Sequence, residues 1–261
     1  MRGLSLIVYG TEGVGKTSFC LQFKKEILCG SIRENGYENL DMVGDVPPGC
    51  ENKQINTFAE LIQFIRTGKD YDTLILDSVS GIQQLIAADI IATIYKKHDN
   101  PAQAFAGFSE GYRIHGPMWI ERICNELTLL NSKGVNTLLI GHVRNENIKN
   151  PNGQDYVAAV LDMESWPRAV FIKWAAAVLY MTLDAEVMVT KTWKGKPTEA
   201  KIVGDLEDAS DRIMYTTKNL SHSAKNLLNL PPYLSLGESP QEAYDKFYKA
   251  LPSTIQEYQK Q

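Results

Sequence analysis

The sequence predicts an α/β domain in which a mostly parallel sheet carries helices on both faces and a β extension towards its C-terminal end. Apolar runs of strand length alternate with amphipathic helical segments. A glycine-rich segment directly follows the first run, and a later run, Leu74–Asp77, ends in an acid, as buried parallel strands often do. Because ligands of such sheets bind at the carboxyl ends of the strands, chemical signals are expected there.

The first strand is predicted at Leu4–Tyr9, and Gly10–Thr17 after it matches the phosphate-binding pattern G-x-x-x-x-G-K-[ST]. Glycines let the backbone N–H groups face a polyphosphate, Lys16 can reach the β and γ phosphates, and the Thr17 hydroxyl can bind Mg²⁺. The pattern also occurs by chance in glycine-rich turns, but here the required strand and helix flank it. The predicted nucleotide-binding residues are Gly10, Thr11, Glu12, Gly13, Val14, Gly15, Lys16, Thr17 and Ser18.

The next elements lead to a second chemical signal. A helix is predicted over Thr17–Leu28, and a short strand over Leu28–Ile32 ends just before Glu34. The apolar run Tyr71–Ser78 then places Asp77 at a strand end. An acid at a strand end is common, but downstream of a phosphate loop it is the expected Mg²⁺ ligand.

Two helices and a fourth strand follow. Helices are predicted over Ile82–Tyr95 and Met118–Ser132, and the glycine- and aromatic-rich segment Ala102–Pro117 between them is expected to be a mobile loop. The strand Asn136–Gly141 has His142 at its carboxyl end. The phosphate loop, the strand-ending acid and this histidine are therefore expected at one edge of the sheet.

Composition restricts the function classes. The formal net charge is −4 and the pI is about 5.7, so any nucleic-acid contact must come from local basic patches. The four cysteines show no metal or redox spacing and are expected to be buried thiols in a reducing compartment. The N-terminus has no signal-peptide pattern, and no apolar run approaches the ~20 residues of a membrane span. We expect a cytoplasmic protein with no membrane partner.

The order of Gly10–Thr17, Leu74–Asp77 and Leu138–His142 resembles the RecA-like P-loop ATPases. More narrowly, the chain resembles phage AAA-family ATPases that act in single-strand annealing and recombination. Further stretches that fit this narrower family are Glu34–Tyr37, Trp174–Leu183, Arg212–Thr217, Ala224–Asn226 and Leu230-Pro231. The resemblance covers most of residues 4–236, which implies a RecA-like ATPase core over residues 1–236 and a C-terminal helical tail over residues 237–261.

The resemblance also implies roles for single residues. Glu34 stands where RecA-like enzymes carry the carboxylate that activates the attacking water. Alternatively, Glu34 is only a solvent-exposed acid in a loop. Glu12 is a weaker candidate for the water-activating carboxylate. His142 stands where the family carries a polar residue that senses the γ-phosphate. Alternatively, it is a histidine at a strand end that is simply hydrogen-bonded to the backbone. Lys225 matches the lysine of a basic pair supplied by a neighbouring subunit, whereas Leu227 stands where the arginine of that pair is expected. We therefore expect a homo-oligomer that hydrolyses ATP slowly and only when it is assembled.

A DNA-binding loop is implied over Arg144–Arg168. Cations that neutralise phosphates and aromatic rings that stack on unpaired bases suit single-stranded DNA, although short charge runs are often only solvated surface. The implied contact residues are Arg144, Lys149, Tyr156, Trp166 and Arg168. A second patch of the same residue types lies at Lys191–Lys196.

Three functions remain open. The resemblance implies an ATPase with ATP and Mg²⁺ as cofactors that acts on single-stranded DNA in phage recombination or annealing, beside a single-strand DNA-binding protein in the cytoplasm of a bacterial host. A small-molecule (nucleoside or nucleotide) kinase also begins with a phosphate loop, but it needs an arginine-rich lid, and Arg113, Arg122 and Arg144 are isolated. An ATP-dependent switch protein with little turnover is the third reading.

Overall fold

The computed structural model describes residues 2–23, 26–95, 110–151, 153–183, 186–193, 196–203 and 212–259. The strands are β1 Ser5–Gly10, β2 Ile27–Ser31, β3 Cys50–Gln54, β4 Thr73–Asp77, β5 Asn136–Ile148, β6 Tyr156–Leu161, β7 Ala177–Leu183, β8 Glu186–Trp193, β9 Lys196–Val203, β10 Arg212–Tyr215, β11 Lys225–Asn226 and β12 Tyr233–Gly237. The helices are α1 Lys16–Cys20, α2 Gly36–Val43, α3 Phe58–Thr67, α4 Val79–Thr93, α5 Glu110–Ser132, α6 Ser165–Trp174, α7 Pro240–Ala250 and α8 Ser253–Gln259, with a 3₁₀ turn at Gly68–Asp70.

The main sheet has the strand order β12-β10-β7-β1-β5-β4-β2-β3. Every neighbouring pair from β7 to β3 is parallel, whereas β10 and β12 add an antiparallel edge beyond β7. Strand β11 also pairs with β7, and β8 and β9 form a separate hairpin. The predicted class, an α/β fold with a mostly parallel sheet, helices on both faces and a C-terminal β extension, is confirmed.

The two faces of the sheet bury separate apolar cores. Along β1, Ile7 and Tyr9 face a core shared with α3, α4, α5 and α6, while Leu6 and Val8 face a core shared with α1 and α7. Because both faces are covered, the strand reads as a continuous apolar run rather than an alternating one.

Helix α1 is only five residues long, so the prediction of a helix over Thr17–Leu28 is wrong in its second half. Ile27 instead begins β2, which pairs with β4 on one side and β3 on the other. The helical spacing of Phe19 and Phe23 has another cause, since both rings pack against Phe247 of α7 with centroids 5.7 Å apart.

The C-terminal helices pack against the core. The boundary predicted after residue 236 falls inside β12, and α7 begins where Ser239 Oγ accepts a hydrogen bond of 3.1 Å from the Glu242 N–H. That cap sets the direction of α7, whose Phe247 is fully buried beside α1.

Strand β5 continues past the sheet into a β-hairpin. It pairs with β1 up to His142, and Val143–Ile148 then pairs antiparallel with β6. The Tyr9 hydroxyl at the base of this hairpin contacts the carbonyl oxygens of Ala159 (3.2 Å) and Ser223. The prediction of one loop over Arg144–Arg168 is therefore wrong, because most of that segment is strand or helix.

Other predicted segments have mixed outcomes. Residues 102–109 of the predicted mobile loop lie outside the described residues, while residues 110–117 begin α5. The side chains of the basic patch Lys191–Lys196 also lie outside the described residues. Within the described part of the chain, no helix is long and apolar enough to cross a membrane.

Candidate functional site

The carboxyl ends of β1, β2 and β4 and the middle of β5, at His142, meet around one cavity. The sheet register places Gly10 beside His142, and Asp77 between Ser31 and Ile140. The cavity has a volume of about 390 Å³. Its lining residues are Glu12, Gly13, Gly15, Lys16, Thr17, Ser18, Glu34, Gly36, Asn39, Leu40, Asp77, Ile140 and His142.

The phosphate loop supplies one wall of the cavity. Gly15 precedes α1 with a φ of 86°, a left-handed conformation that favours glycine. The ammonium of Lys16 is folded onto the loop, where Nζ donates to the carbonyl oxygens of Gly10 (3.0 Å) and Thr11 (2.7 Å). Burial lowers the pKa of Lys16, and the nearby carboxylates partly oppose this shift. Val14 points away and packs in the core beside α1.

A hydroxyl and a carboxylate form the candidate metal site. Thr17 Oγ1 donates to Asp77 Oδ2 at 2.8 Å, and Gly36 at the start of α2 lies against both. A Cβ at Gly36 would stand 2.9 Å from Thr17 Oγ1 and 3.2 Å from Asp77 Oδ2, so only glycine leaves this approach open. Two protein oxygens fit Mg²⁺, which fills its remaining positions with phosphate oxygens and water.

The environment of Asp77 disfavours its charge. Burial raises the pKa of Asp77 to about 6, and the nearby Glu34 adds to the rise. The hydrogen bond from Thr17 and the positive charge of Lys16 act in the opposite direction. A cation at this carboxylate would relieve the same electrostatic cost, which is a second reason to place Mg²⁺ there.

Glu34 enters the cavity from the connection between β2 and α2. Its Oε1 accepts a hydrogen bond of 2.8 Å from Ser78 Oγ and lies 2.9 Å from His142 Nε2. The predicted water-activating acid and the predicted sensor are thus in direct contact. The buried Nδ1 of His142 has no hydrogen-bond partner among the described residues, so we assign the proton to Nε2, where it is donated to Glu34.

Arg212 approaches the phosphate loop from the opposite side. Its Nη1 lies 3.0 Å from where a Cβ on Gly15 would stand, while Nε and Nη2 donate to the Gly237 carbonyl at 3.2 and 3.0 Å. Because β10 lies beyond β7 and Glu34 lies beyond β5, Arg212 is on the side of the loop away from Glu34.

Lys225 lies at a helix end within its own chain. Its Nζ donates to the carbonyl oxygens of Ile172 (2.9 Å), Lys173 (2.9 Å) and Ala175 (2.6 Å) at the C-terminus of α6. A cation there binds the last helical carbonyls and complements the helix dipole. Its contribution to a neighbouring subunit's site stays a prediction.

The cations predicted to contact DNA are paired with acids. Arg168 donates to both oxygens of Glu146 at 2.8 Å, and Arg144 adds a bond of 3.0 Å. These bonds, the Arg168 bond first, hold the pKa of Glu146 at about 2. Lys149 pairs with Asp155 at 2.5 Å. The Arg168 side chain is 11% exposed and that of Lys149 is 88% exposed, so only the lysine is freely accessible.

One of the two aromatic residues of this set, Trp166, is also engaged. Trp166 packs against Gly116 of α5 so closely that a Cβ on the glycine would stand 2.2 Å from the indole ring. Trp166 lies in α6, partly buried against the core, rather than on a loop. Its predicted role in base stacking stays a prediction.

A larger cleft of about 460 Å³ lies between α3 and α5, at the opposite edge of the sheet. It carries mostly charged surface side chains, and its Arg66 is already paired with Glu126 at 2.5 Å. None of the sequence motifs lies there, so the smaller cavity is the candidate functional site.

The model of an AAA domain family matches residues 2–228 of the chain. The chain belongs to this AAA domain family. Among solved structures, a KaiC-like protein from the hyperthermophilic archaeon Pyrococcus horikoshii OT3 is 12% identical; the match covers 92% of this chain and 88% of that one, with a TM-score of 0.41. No curated protein matches the sequence.

Three further residues of this AAA domain had no role assigned from the sequence. Ser78 could have been noticed as a helix-capping serine directly after the strand-ending acid, and Gly36, within the stretch Glu34–Tyr37, as a glycine two residues after Glu34. Arg212 begins a stretch that fits the resembled family, but only the antiparallel edge of the sheet brings it beside the phosphate loop.

Proposed function

We propose that this AAA domain binds ATP with Mg²⁺ and hydrolyses the bond to the γ-phosphate. The supporting observation is that the phosphate loop, the Thr17–Asp77 pair and Glu34 line one cavity, although they come from three separate parts of the chain. Phosphoryl transfer requires these three functions in one place: a cradle for phosphates, a metal site and a group that orients water.

The contacts indicate how each residue acts. Phosphate oxygens replace the carbonyls of Gly10 and Thr11 as acceptors for Lys16 Nζ. Thr17 and Asp77 would hold Mg²⁺, which would neutralise phosphate charge. Glu34 orients the attacking water and accepts its proton. The water oxygen bonds to the γ-phosphorus while the bond between that phosphorus and the β–γ bridging oxygen breaks, which releases ADP and phosphate.

Variants of the two candidate acids test this proposal. Glu34→Gln should lower the turnover number by 10²-fold or more while ATP affinity is retained, because general-base catalysis contributes about 10²–10⁴-fold. Glu12→Gln is the matched control, and Lys16→Ala should lose ATP binding. Phosphate release is measured with Mg²⁺ or EDTA, with and without single-stranded DNA. If the wild type releases no phosphate under any of these conditions, the proposal is refuted, and the ATP-dependent switch protein with little turnover is favoured instead.

We further propose that ATP binding controls attachment to single-stranded DNA, in phage recombination or annealing, through the β5–β6 hairpin of a homo-oligomer. This rests on the family resemblance and on the exposure of Lys149, whose solvent-exposed ion pair with Asp155 is weak and can yield to DNA phosphate. Arg168 is nearly buried and forms a bidentate pair with Glu146, which makes that arginine a poorer phosphate ligand.

Binding of a labelled oligonucleotide tests the DNA proposal. We expect ATP-stimulated affinity that falls steeply between ~50 and ~200 mM salt, and Lys149→Gln should reduce the salt slope by about one. Lys133→Gln, on the opposite edge of the sheet, is the control. Absence of binding at ~50 mM salt with ATP, together with a monomeric mass, would contradict this proposal and leave the ATPase proposal intact.

A further inference from the structure

Glu34 reaches its position from an irregular connection. Arg33 before it has a φ of 59°, and Gly36 after it begins α2. The backbone is held nearby by the Ile32 N–H, which donates to the Asp77 carbonyl at 2.5 Å, and by Gln54 Nε2, which donates to the Glu34 carbonyl at 3.4 Å. Both bonds hold the backbone and not the side chain. The long side chain of Glu34 therefore depends on side-chain hydrogen bonds for its orientation.

Those bonds converge on a single carboxylate oxygen. Ser78 Oγ and His142 Nε2 both contact Oε1, at 2.8 and 2.9 Å. An oxygen that accepts two hydrogen bonds has its favourable acceptor directions filled. Oε2 is left as the oxygen that can accept from a water molecule.

The hydroxyl of Ser78 has only one orientation that satisfies its neighbours. It lies 3.4 Å from the Gly81 N–H, which is a donor, and 3.0 Å from Ser80 Oγ. An ionised Glu34 is only an acceptor, so the single proton of Ser78 must point to Glu34. Ser80 and Gly81 then donate to the two lone pairs of Ser78.

The two donors differ in how firmly they are held. Ser78 is 0% exposed and caps α4, while the side chain of His142 is 32% exposed and lies on the strand that continues into the hairpin. Ser78 also follows Asp77 directly, so one peptide links the metal ligand to the group that holds the base.

We propose that Ser78 is a positioning residue for the reaction: its hydroxyl fixes Oε1 of Glu34 so that Oε2 faces the attacking water. This inference rests on the proposed ATPase function. Because Ser78 acts through Glu34, its removal lowers the turnover number and leaves ATP affinity unchanged. A hydrogen bond to a charged group corresponds to a loss of about 10- to 100-fold.

A double-mutant cycle separates this role from helix capping. Ser78→Ala should lower the turnover number about 10- to 100-fold, and Ser78→Cys, with a weaker donor, should also lower it. Thr57→Ala removes the equivalent cap of α3, away from the cavity, and controls for lost stability. In a Glu34→Gln background, Ser78→Ala should cause no further loss.

The outcomes are distinct. Equal losses from Ser78→Ala with and without Glu34→Gln, or wild-type turnover in both Ser78 variants, overturn the positioning role while the ATPase proposal stands. If Glu34→Gln itself retains wild-type turnover, the proposed base is wrong and the role of Ser78 falls with it. Fluorescent ATP-analogue binding confirms that each variant is folded.

Discussion

Replacing Asp77 by asparagine should stabilise the nucleotide-free protein. Burial raises the pKa of Asp77 from 3.8 to about 6, so the folded state holds a proton that the unfolded chain releases between these values. The folded protein is therefore favoured below pH ~4 and loses stability as the pH rises to ~6. A pKa raised by about two lowers the free energy of unfolding by ~3 kcal/mol at pH 7, and Asp77→Asn should restore this stability.

Denaturant unfolding at a series of pH values between 4 and 7, with EDTA and without nucleotide, measures this effect. The amide oxygen of asparagine can still accept the hydrogen bond from Thr17, so that contact does not confound the comparison. We expect the difference in unfolding free energy between variant and wild type to grow with pH. If the unfolding free energies of variant and wild type change with pH in parallel, ionisation of the buried Asp77 does not destabilise the folded protein.

Three further outcomes are expected. Gly36→Ala places a methyl group against the metal-binding oxygens and should weaken MgATP binding by about 5- to 100-fold, the equivalent of ~1–3 kcal/mol of overpacking; unchanged affinity by calorimetry would contradict it. Lys225→Met removes three bonds to carbonyl groups and should lower the unfolding free energy by ~1–3 kcal/mol in urea, whereas the exposed control Lys218→Met should not. The pKa of Glu146 is held at about 2, so its contribution to stability is present above pH ~4.5 and is lost as the pH falls towards 2; Glu146→Gln should unfold with a shallower acid dependence by circular dichroism, and identical acid curves would refute this.

The local signals of this sequence predicted the fold class and the strands of the candidate site. The phosphate loop, the strand end at Asp77 and His142 all lie at the carboxyl edge of the parallel sheet, as expected, although β5 continues past His142 to Ile148. The short strand before Glu34 was also predicted. Each of these features depends on consecutive residues, so the sequence contains the information directly.

Contacts between distant segments were beyond such reasoning. The spacing of Phe19 and Phe23 suggested a long helix because both rings are buried, but the partner that buries them is a helix at the other end of the chain. The pairing of Arg168 with Glu146 likewise depends on where α6 packs beside the hairpin. The sequence alone therefore suggested a basic surface at these residues. In the structure, acidic partners largely neutralise it.

The continuity of β5 has a mechanical consequence. From His142 to Ile148 the strand is hydrogen-bonded without interruption, first to β1 and then to β6, and spans about 20 Å at ~3.4 Å per residue. A rod of that length converts a tilt of about 5° at its base into nearly 2 Å at its far end. The Tyr9 hydroxyl contacts the carbonyls of Ala159 and Ser223 at the base of the hairpin, so a shift of β5 at His142 would be transmitted to the hairpin tip.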